Sequence, residues 1–445
     1  MADMKVPRVI LPQAAENVKV YPDTGLFAEI PSEADGVGKA MGQPLTVIQS
    51  AQELIETAGG IALPPRRRGY LRLDTLSADA PTITTTGAVN NATPSIASPQ
   101  TIAYNNAALR FFGARQMSVY NSAYVGNGSS SVGLVGDGTK IWLGYFMEFE
   151  VDTAGFELRL NGDFSTASGL DYMIWVDGMP VSREPLKYGT STGKWITKFA
   201  WATKRRRRIT ILTAALLHQM WIGANDAIFP SLRPLSRRIC FISDSFSTGV
   251  GGSGVQSRIG SWMYRLALRL GFDDIHCAAQ ASTGYVNDNG GTLGSGKFRD
   301  RLAAEVLPVA AAWNVFLGSV NDDNGTIPPT QVQAEAAACY SAFPADSKLV
   351  VFGPQYMDGG AHLPRDGIDA ALSAAAAAAP NVLRYVSLKG WITGTGKVGA
   401  TTGSGNADIY TCADGVHPSI YDGHIYYGDS AYAAIADIPG LAADL

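Results

Sequence analysis

Near residue 236 the hydrophobic pattern of this chain changes period, and that change sets what each part can fold into. Upstream, from about 71 to 230, apolar and polar residues alternate. Met147-Glu148-Phe149-Glu150-Val151-Asp152 does so strictly, as a strand with one wet face does when successive side chains point to opposite sides. Asp171–Val181 carries Asp177-Gly178 between two apolar runs, a hairpin signal. Lys194–Thr203 and Arg208–Thr213 read as further strands. Several short strands separated by turn residues predict a β-sandwich, jelly-roll-like, over residues 71–235. Downstream, β-rich runs at Arg238–Ile242, Asp274–Ala278, Trp313–Leu317, Lys348–Phe352 and Val382–Val386 alternate with helical stretches at about 298–307, 329–342, 366–379 and 419–437. Val255, Ile259, Trp262, Met263, Leu266 and Leu270 recur at helical spacing, with Gly271 where a C-terminal cap belongs. This βαβ rhythm predicts an α/β domain over residues 236–445, a parallel sheet with helices on both faces.

Residues 1–70 differ from both. Pro7, Pro12, Pro22, Pro31 and Pro44 interrupt them, one helix fits at Thr46–Thr57, and Pro64-Pro65-Arg66-Arg67-Arg68-Gly69 reads as a linker. Such a segment has too little periodic apolar surface for a core of its own, so we expect an extended attachment segment that packs on something else. The net charge of −4 gives no reason to expect a nucleic-acid partner. The first residues lack an apolar h-region and no run of about 18 apolar residues occurs, so we expect no signal peptide and no membrane span. Cys240, Cys277, Cys339 and Cys412 are far apart and read as buried free thiols.

In an open α/β sheet the loops after the carboxyl ends of the strands share one edge, and ligands bind there. Four segments fall on that edge. Ser245 follows the first strand, Gly284 the second and Asn321 the third, while Asp414-Gly415-Val416-His417-Pro418 precedes the last helix. An acid three residues before a histidine can reach the imidazole Nδ1, which fixes the tautomer and leaves Nε2 free to take a proton. Pro418 biases His417 to an extended backbone and can open the next helix. The chemistry of this set is acyl transfer: Ser245 as nucleophile, His417 as base and Asp414 as its orienting acid. The N–H groups of Ser245 and Gly284 and the side-chain amide of Asn321 are the expected oxyanion donors.

These segments resemble the SGNH (GDSL-type) hydrolase superfamily. Its four blocks match Ser243-Asp244-Ser245, Gly284, Asn321-Asp322 and Asp414-x-x-His417, over the stretch from Arg238 to the C-terminus. The resemblance implies a flavodoxin-like α/β/α fold, metal-free hydrolysis without a cofactor, and carboxylic esters as substrates. It also implies a structural role for His424 in Gly423-His424. Two positions depart from the family pattern: Ser243 stands where a glycine is usual, and Ser319 stands two residues before Asn321, with Gly318 one place earlier. A β-sandwich ahead of such a domain is similar to the layout of carbohydrate esterases that remove O-acetyl groups from polysaccharides. The front of the chain is similar to phage tail or spike proteins that carry such an enzyme. The resemblance thus implies an acetylated bacterial polysaccharide as substrate, virion proteins as partners through residues 1–70, and a homo-oligomer, trimeric as spikes and fibres commonly are. The alternatives are a non-catalytic virion protein with a hydrolase-like domain, and a lipase or thioesterase.

Other residues invite functional readings that their setting weakens. His218, His276 and His362 are expected to lack a carboxylate partner and read as structural. Lys204-Arg205-Arg206-Arg207-Arg208 suggests an anion-binding patch, yet in a strand at most about half of these share a face, so we favour a solvated edge or ion pairs between parts of the fold. Asp322 and Asp323 have no accompanying histidine or second acidic cluster, so no metal is expected. Trp175, Trp195 and Trp201 read as core of the β-rich part rather than sugar platforms.

Overall fold

The computed structural model describes residues 71–442, apart from 74, 87–92, 114–116, 121–123, 128–143, 162–170, 188–193, 232, 234–236, 252–253, 256, 295, 324 and 359–362. The expected attachment segment 1–70, with its helix at Thr46–Thr57, and His362 lie outside the described residues. Gly69–Leu445 is one compact unit.

Five strands form a parallel sheet, numbered here in chain order: β1 Arg238–Ser243, β2 Asp274–Ala279, β3 Trp313–Leu317, β4 Lys348–Phe352 and β5 Val382–Val386. Their spatial order is β2-β1-β3-β4-β5. Every neighbouring pair is parallel. The three inner strands β1, β3 and β4 are almost continuously buried, as parallel strands covered on both faces must be, while the edge strand β5 is only half-buried. Alternate residues feed two cores. Ile239, Phe241, Val315, Val350 and Phe352 face helices α1 (Trp262–Arg269) and α4 (Asp422–Ile435). Cys240, Ile242, Phe316, Leu349 and Val351 face α2 (Pro329–Ser341) and α3 (Leu363–Ala378). α1 starts at Trp262, later than its apolar pattern suggests, because Gly254–Val255 pairs with Val250–Gly251 in a small hairpin. It ends as expected: Gly271 has φ +78° and donates to the Leu268 carbonyl.

The residues before 236 make a twelve-stranded antiparallel sheet. Its spine is the pairing of Tyr145–Asn161 with Lys194–Thr213. The two strands expected within 194–213 are one strand, with an irregularity in pairing between Ala200 and Arg205 that bends it. Asp177 and Gly178, with φ +53° and +86°, make the tight turn joining Asp171–Val176 to Met179–Pro180. Tyr145, Met147, Phe149, Val151, Ile174 and Ile209 build the sheet's own core. Trp175 and Trp201 are buried, their indole N–H groups donating to the carbonyls of Arg72 and Asp79.

The basic run is consumed by pairing. Lys204 pairs with Asp226, Arg205 with Asp79 and Asp177, and Arg206 with Glu150. Arg207 is buried over Trp201 and pairs with Asp79.

One acidic position was expected to be wet and is not. Glu148 is fully buried, with the Arg233 guanidinium packed against it. Arg233, from the segment leading to β1, donates to Glu148 at 2.8 Å and also pairs with Asp273 just before β2. All three are buried, so the antiparallel sheet, the connecting segment and the parallel sheet share one ion network. They share an apolar core as well. Phe112, Phe146, Met173, Trp175 and Leu212 lie in the same cluster as α1 and β1, and Tyr264 of α1 donates to the Gly144 carbonyl at 2.9 Å. At the same junction Ser257 donates to the buried Asp171, whose carboxyl is pushed by burial up to about 7.

Two outcomes are expected. Arg233→Met takes the shared guanidinium away from two buried carboxylates, and a loss of about 3–5 kcal/mol follows; an unfolding free energy from denaturant titration lowered by less than about 1 kcal/mol would remove the network from the account of stability. Asp171 binds its proton more tightly folded than unfolded. The stabilisation it gives is full below about pH 4 and is lost as pH rises through about 7. Melting temperatures measured from pH 4 to pH 8 should therefore fall less steeply in Asp171→Asn than in the parent protein.

Candidate active site

The crossover from β1 to β2 runs one way along the sheet and that from β2 to β3 runs back past β1. The carboxyl ends of β1 and β3 therefore flank a topological switch point, where open α/β sheets leave a crevice. Ser245 stands two residues past the end of β1 and opens a 3-10 turn, Ser245–Ser247. Asp244 caps that turn, accepting the Phe246 N–H at 2.9 Å. The Ser245 N–H heads the turn, where the first amides have no partner within the helix.

His417 comes from the far end of the chain. Its Nε2 lies 2.8 Å from Ser245 Oγ and its Nδ1 lies 2.7 Å from Asp414 Oδ2. The other oxygen, Asp414 Oδ1, accepts the N–H groups of Val416 and His417 at 2.8 and 3.0 Å. Burial pushes the Asp414 carboxyl up, but these bonds and the imidazole outweigh it and hold it below its usual value. The tight loop needs Gly415, whose φ is +71°. Pro418 does not open the last helix: it bridges to Thr411, and α4 begins four residues later at Asp422. The backbone bond from Cys412 N–H to the His417 carbonyl pins the base at the same place. Ser245, His417 and Asp414, separated by up to 172 positions, thus form one hydrogen-bonded line.

Gly284 and Asn321 reach the same rim, but their polar groups are already engaged. The Gly284 N–H donates to the Asn287 carbonyl at 2.8 Å. The Asn321 amide donates to the Thr283 carbonyl at 2.9 Å and to Asp244 Oδ2 at 3.2 Å. A glycine is required at 284 for space: a Cβ there would sit 2.5 and 2.6 Å from the two Asp322 oxygens. Asp322 is the anchor of this loop. It is fully buried and accepts the N–H groups of Tyr285, Val286 and Asn287 at 2.9, 3.1 and 2.8 Å. Burial raises its carboxyl even against these bonds. Its sequence setting raised the question of a metal; among the described residues no cluster of three His, Cys, Asp or Glu side chains could hold one.

Both departures from the family pattern are accommodated by hydroxyl bonds. Ser243 is buried and accepts from Ser247 Oγ at 2.7 Å. Ser319 caps the turn Val320–Asp322, accepting the Asp322 N–H at 3.1 Å while its own hydroxyl donates to the Asp322 carboxylate. The glycine moves one place back: Gly318 has φ +151°, and a Cβ there would press on the Phe298 ring at 2.8 Å.

Gln355, just beyond β4, escaped the sequence reading. It is fully buried between Asp244 and Val320, and it lies on the strand-end edge that named the other positions. Of the remaining histidines, His424 is buried against Phe246 and accepts the Trp262 N–H. His276 does have a carboxylate, contrary to expectation: Asp274, two residues earlier on the same face of β2, lies 2.9 Å from its Nε2. The four cysteines are free, with Cys240, Cys339 and Cys412 buried.

No protein-family model matches the chain, and no curated protein matches it either. Solved structures share its fold. A salicylyl-acyltransferase from a tetracycline biosynthetic pathway aligns with a TM-score of 0.52 at 13% identity, covering 77% of this chain and 98% of that one. An active-site mutant of a family two carbohydrate esterase from Clostridium thermocellum aligns at 0.52 and 14%, covering 75% and 99%. A protein from Bacteroides ovatus described as a GDSL-like lipase aligns at 0.52 and 12%, covering 76% and 97%. The chain therefore shares a fold with an acyltransferase, a carbohydrate esterase and a GDSL-like lipase, and the likeness extends beyond the parallel sheet into the antiparallel part. No described helix is long and apolar enough to cross a membrane.

A methyl group at Gly284 is expected to displace Asp322 and with it the 285–287 loop. Gly284→Ala should cost about 1–3 kcal/mol of stability, read from thermal unfolding; a variant as stable as its parent would mean that the loop tolerates a shift the contacts forbid.

Proposed function

We propose that this chain is a serine esterase that removes O-acetyl groups from a bacterial surface polysaccharide. The observation that carries the reading is the line Ser245 Oγ–His417 Nε2–Asp414, with separations of 2.8 and 2.7 Å, at the switch-point edge of the sheet. His417 takes the Ser245 proton as Oγ attacks the ester carbonyl, and Asp414 stabilises the imidazolium. The carbonyl oxygen, now negative, is met by the Ser245 N–H and the Asn321 amide, which must share a hydrogen now given to Asp244 or Thr283. The Gly284 N–H joins them once its bond to Asn287 is released. His417 then protonates the departing sugar oxygen, leaving an acetyl group on Ser245. A water, deprotonated by His417, attacks that acetyl carbonyl; collapse expels the Ser245 oxygen, which recovers its proton, and releases acetate.

The carbohydrate assignment is supported by the fold shared with a family two carbohydrate esterase. In this proposal residues 71–235 form a β-sandwich accessory domain, 236–445 the hydrolase domain, and 1–70 the segment that attaches an oligomer, trimeric in the spike arrangement, to other virion proteins. A second reading, a virion protein that binds without hydrolysis, is favoured by the engaged amides of Gly284 and Asn321.

Hydrolysis of p-nitrophenyl acetate decides between them. Ser245→Ala should lower kcat/KM by at least about 10³, and equal rates for variant and parent would end the enzymatic reading. A steep fall in rate from acetate to octanoate esters is expected; a rise would point to a lipase or thioesterase. Acetate released from a panel of acetylated bacterial polysaccharides would identify the substrate.

A further inference from the structure

We propose that Gln355 is a positioning residue that locks the turn carrying Ser245 to the turn carrying Asn321, fixing nucleophile and amide donor in one mutual geometry. The inference rests on the esterase reading and extends it to a segment with no recognised motif.

Gln355 lies three residues past the end of β4 and has no exposed surface. Its Oε1 accepts the Val320 N–H at 3.0 Å, and Val320 is the first residue of the turn that holds Asn321. Its Nε2 faces both oxygens of Asp244 at 3.4 Å. Asp244 in turn caps the Ser245 turn through Phe246 N–H and accepts from Asn321 Nδ2 at 3.2 Å. One amide therefore joins the loops after β1 and β3 across the crevice, while the backbone carbonyl of Gln355 accepts from Arg365 at 2.9 Å.

The chemistry demands a group with an acceptor and a donor at one end. A carboxylate can accept from Val320 but cannot donate to a second carboxylate unless it holds a proton. An apolar side chain leaves a buried N–H and a buried carboxylate each short of a partner. The titratable and charged groups around Asp244 are His417 from the 411–418 loop and Arg301 from the helix Phe298–Arg301; Asp322 lies in the turn Val320–Asp322, and Arg365 of α3 reaches the Gln355 backbone. Burial pushes the Asp244 carboxyl up to about 6, against the opposing effects of Phe246 N–H, His417, Gln355 and Arg301. A second acid placed against it would share its proton.

The test uses the full chain, with p-nitrophenyl acetate as probe from pH 5 to pH 9. Gln355→Glu is expected to lower kcat about 10- to 100-fold at pH 8, with KM within about threefold of the parent value, and to move the pH of maximal kcat at least one unit toward acid. Gln355→Met should lower kcat at every pH and leave the shape of the profile unchanged. Far-UV circular dichroism of each variant at pH 5.5 and pH 8 accompanies the rates. If Gln355→Glu unfolds at pH 8, the comparison is made at pH 5.5, where the shared proton should restore at least half of the parent rate. A Gln355→Glu protein with parental kcat and pH profile, or a folded Gln355→Met protein with parental kcat, overturns the inference. Parental rates in Ser245→Ala would instead overturn the esterase reading itself.

Discussion

Two carboxylates without exposed surface, Asp244 and Asp322, hold the functional rim in shape. An ionised carboxylate deprived of water is costly unless hydrogen bonds replace its hydration. Asp322 obtains them from three consecutive backbone amides of the 285–287 loop and from Ser319. Asp244 obtains them from the Ser245 turn, Asn321 and Gln355. The loops after β1, β2, β3 and β4 can satisfy these acids only in one arrangement. Loop order at this edge is thus enforced from beneath, by groups that would never touch a substrate.

The His417 side of the site is built on a different principle. Its loop is self-contained: Asp414 is satisfied by Val416, by the His417 backbone and by the imidazole, all within four residues. The base and its acid therefore arrive as a preassembled unit, docked through the Thr411–Pro418 bridge and the bond from Cys412 to the His417 carbonyl. A local unit of this kind is readable from sequence spacing. A carboxylate that gathers donors from two or three separate loops is not.

That contrast explains how far the sequence could be read. The strands and the alternation of helices were legible because each carries its own hydrophobic period, and the strand-end rule placed Ser245, Gly284, Asn321 and His417 on one edge. The merging of two expected strands into Lys194–Thr213 was hidden, because an irregular pairing between Ala200 and Arg205 is followed at once by a basic run that interrupts the apolar pattern. Glu148 was misread because alternation reports which side chains share a face, not what later packs against that face; Arg233 lies 85 residues away. His276 was misread for a related reason: Asp273 stands three residues before it, yet the ring meets Asp274, its i−2 neighbour on the same face of the strand, while Asp273 pairs with Arg233. The commitment of Asn321 and Gly284 to internal bonds was invisible, since residue type fixes what a group can donate and only the fold fixes to whom.

The common core under α1 has a consequence for how this molecule comes apart. Phe146, Trp175 and Leu212 on one side and Ile259, Tyr264 and Phe241 on the other bury one another. An excised fragment beginning at residue 236 would turn that surface toward water as a broad apolar patch, prone to self-association. The antiparallel and parallel sheets should instead melt as a single cooperative block, and a protease nick in the connecting segment would leave the two pieces clinging together.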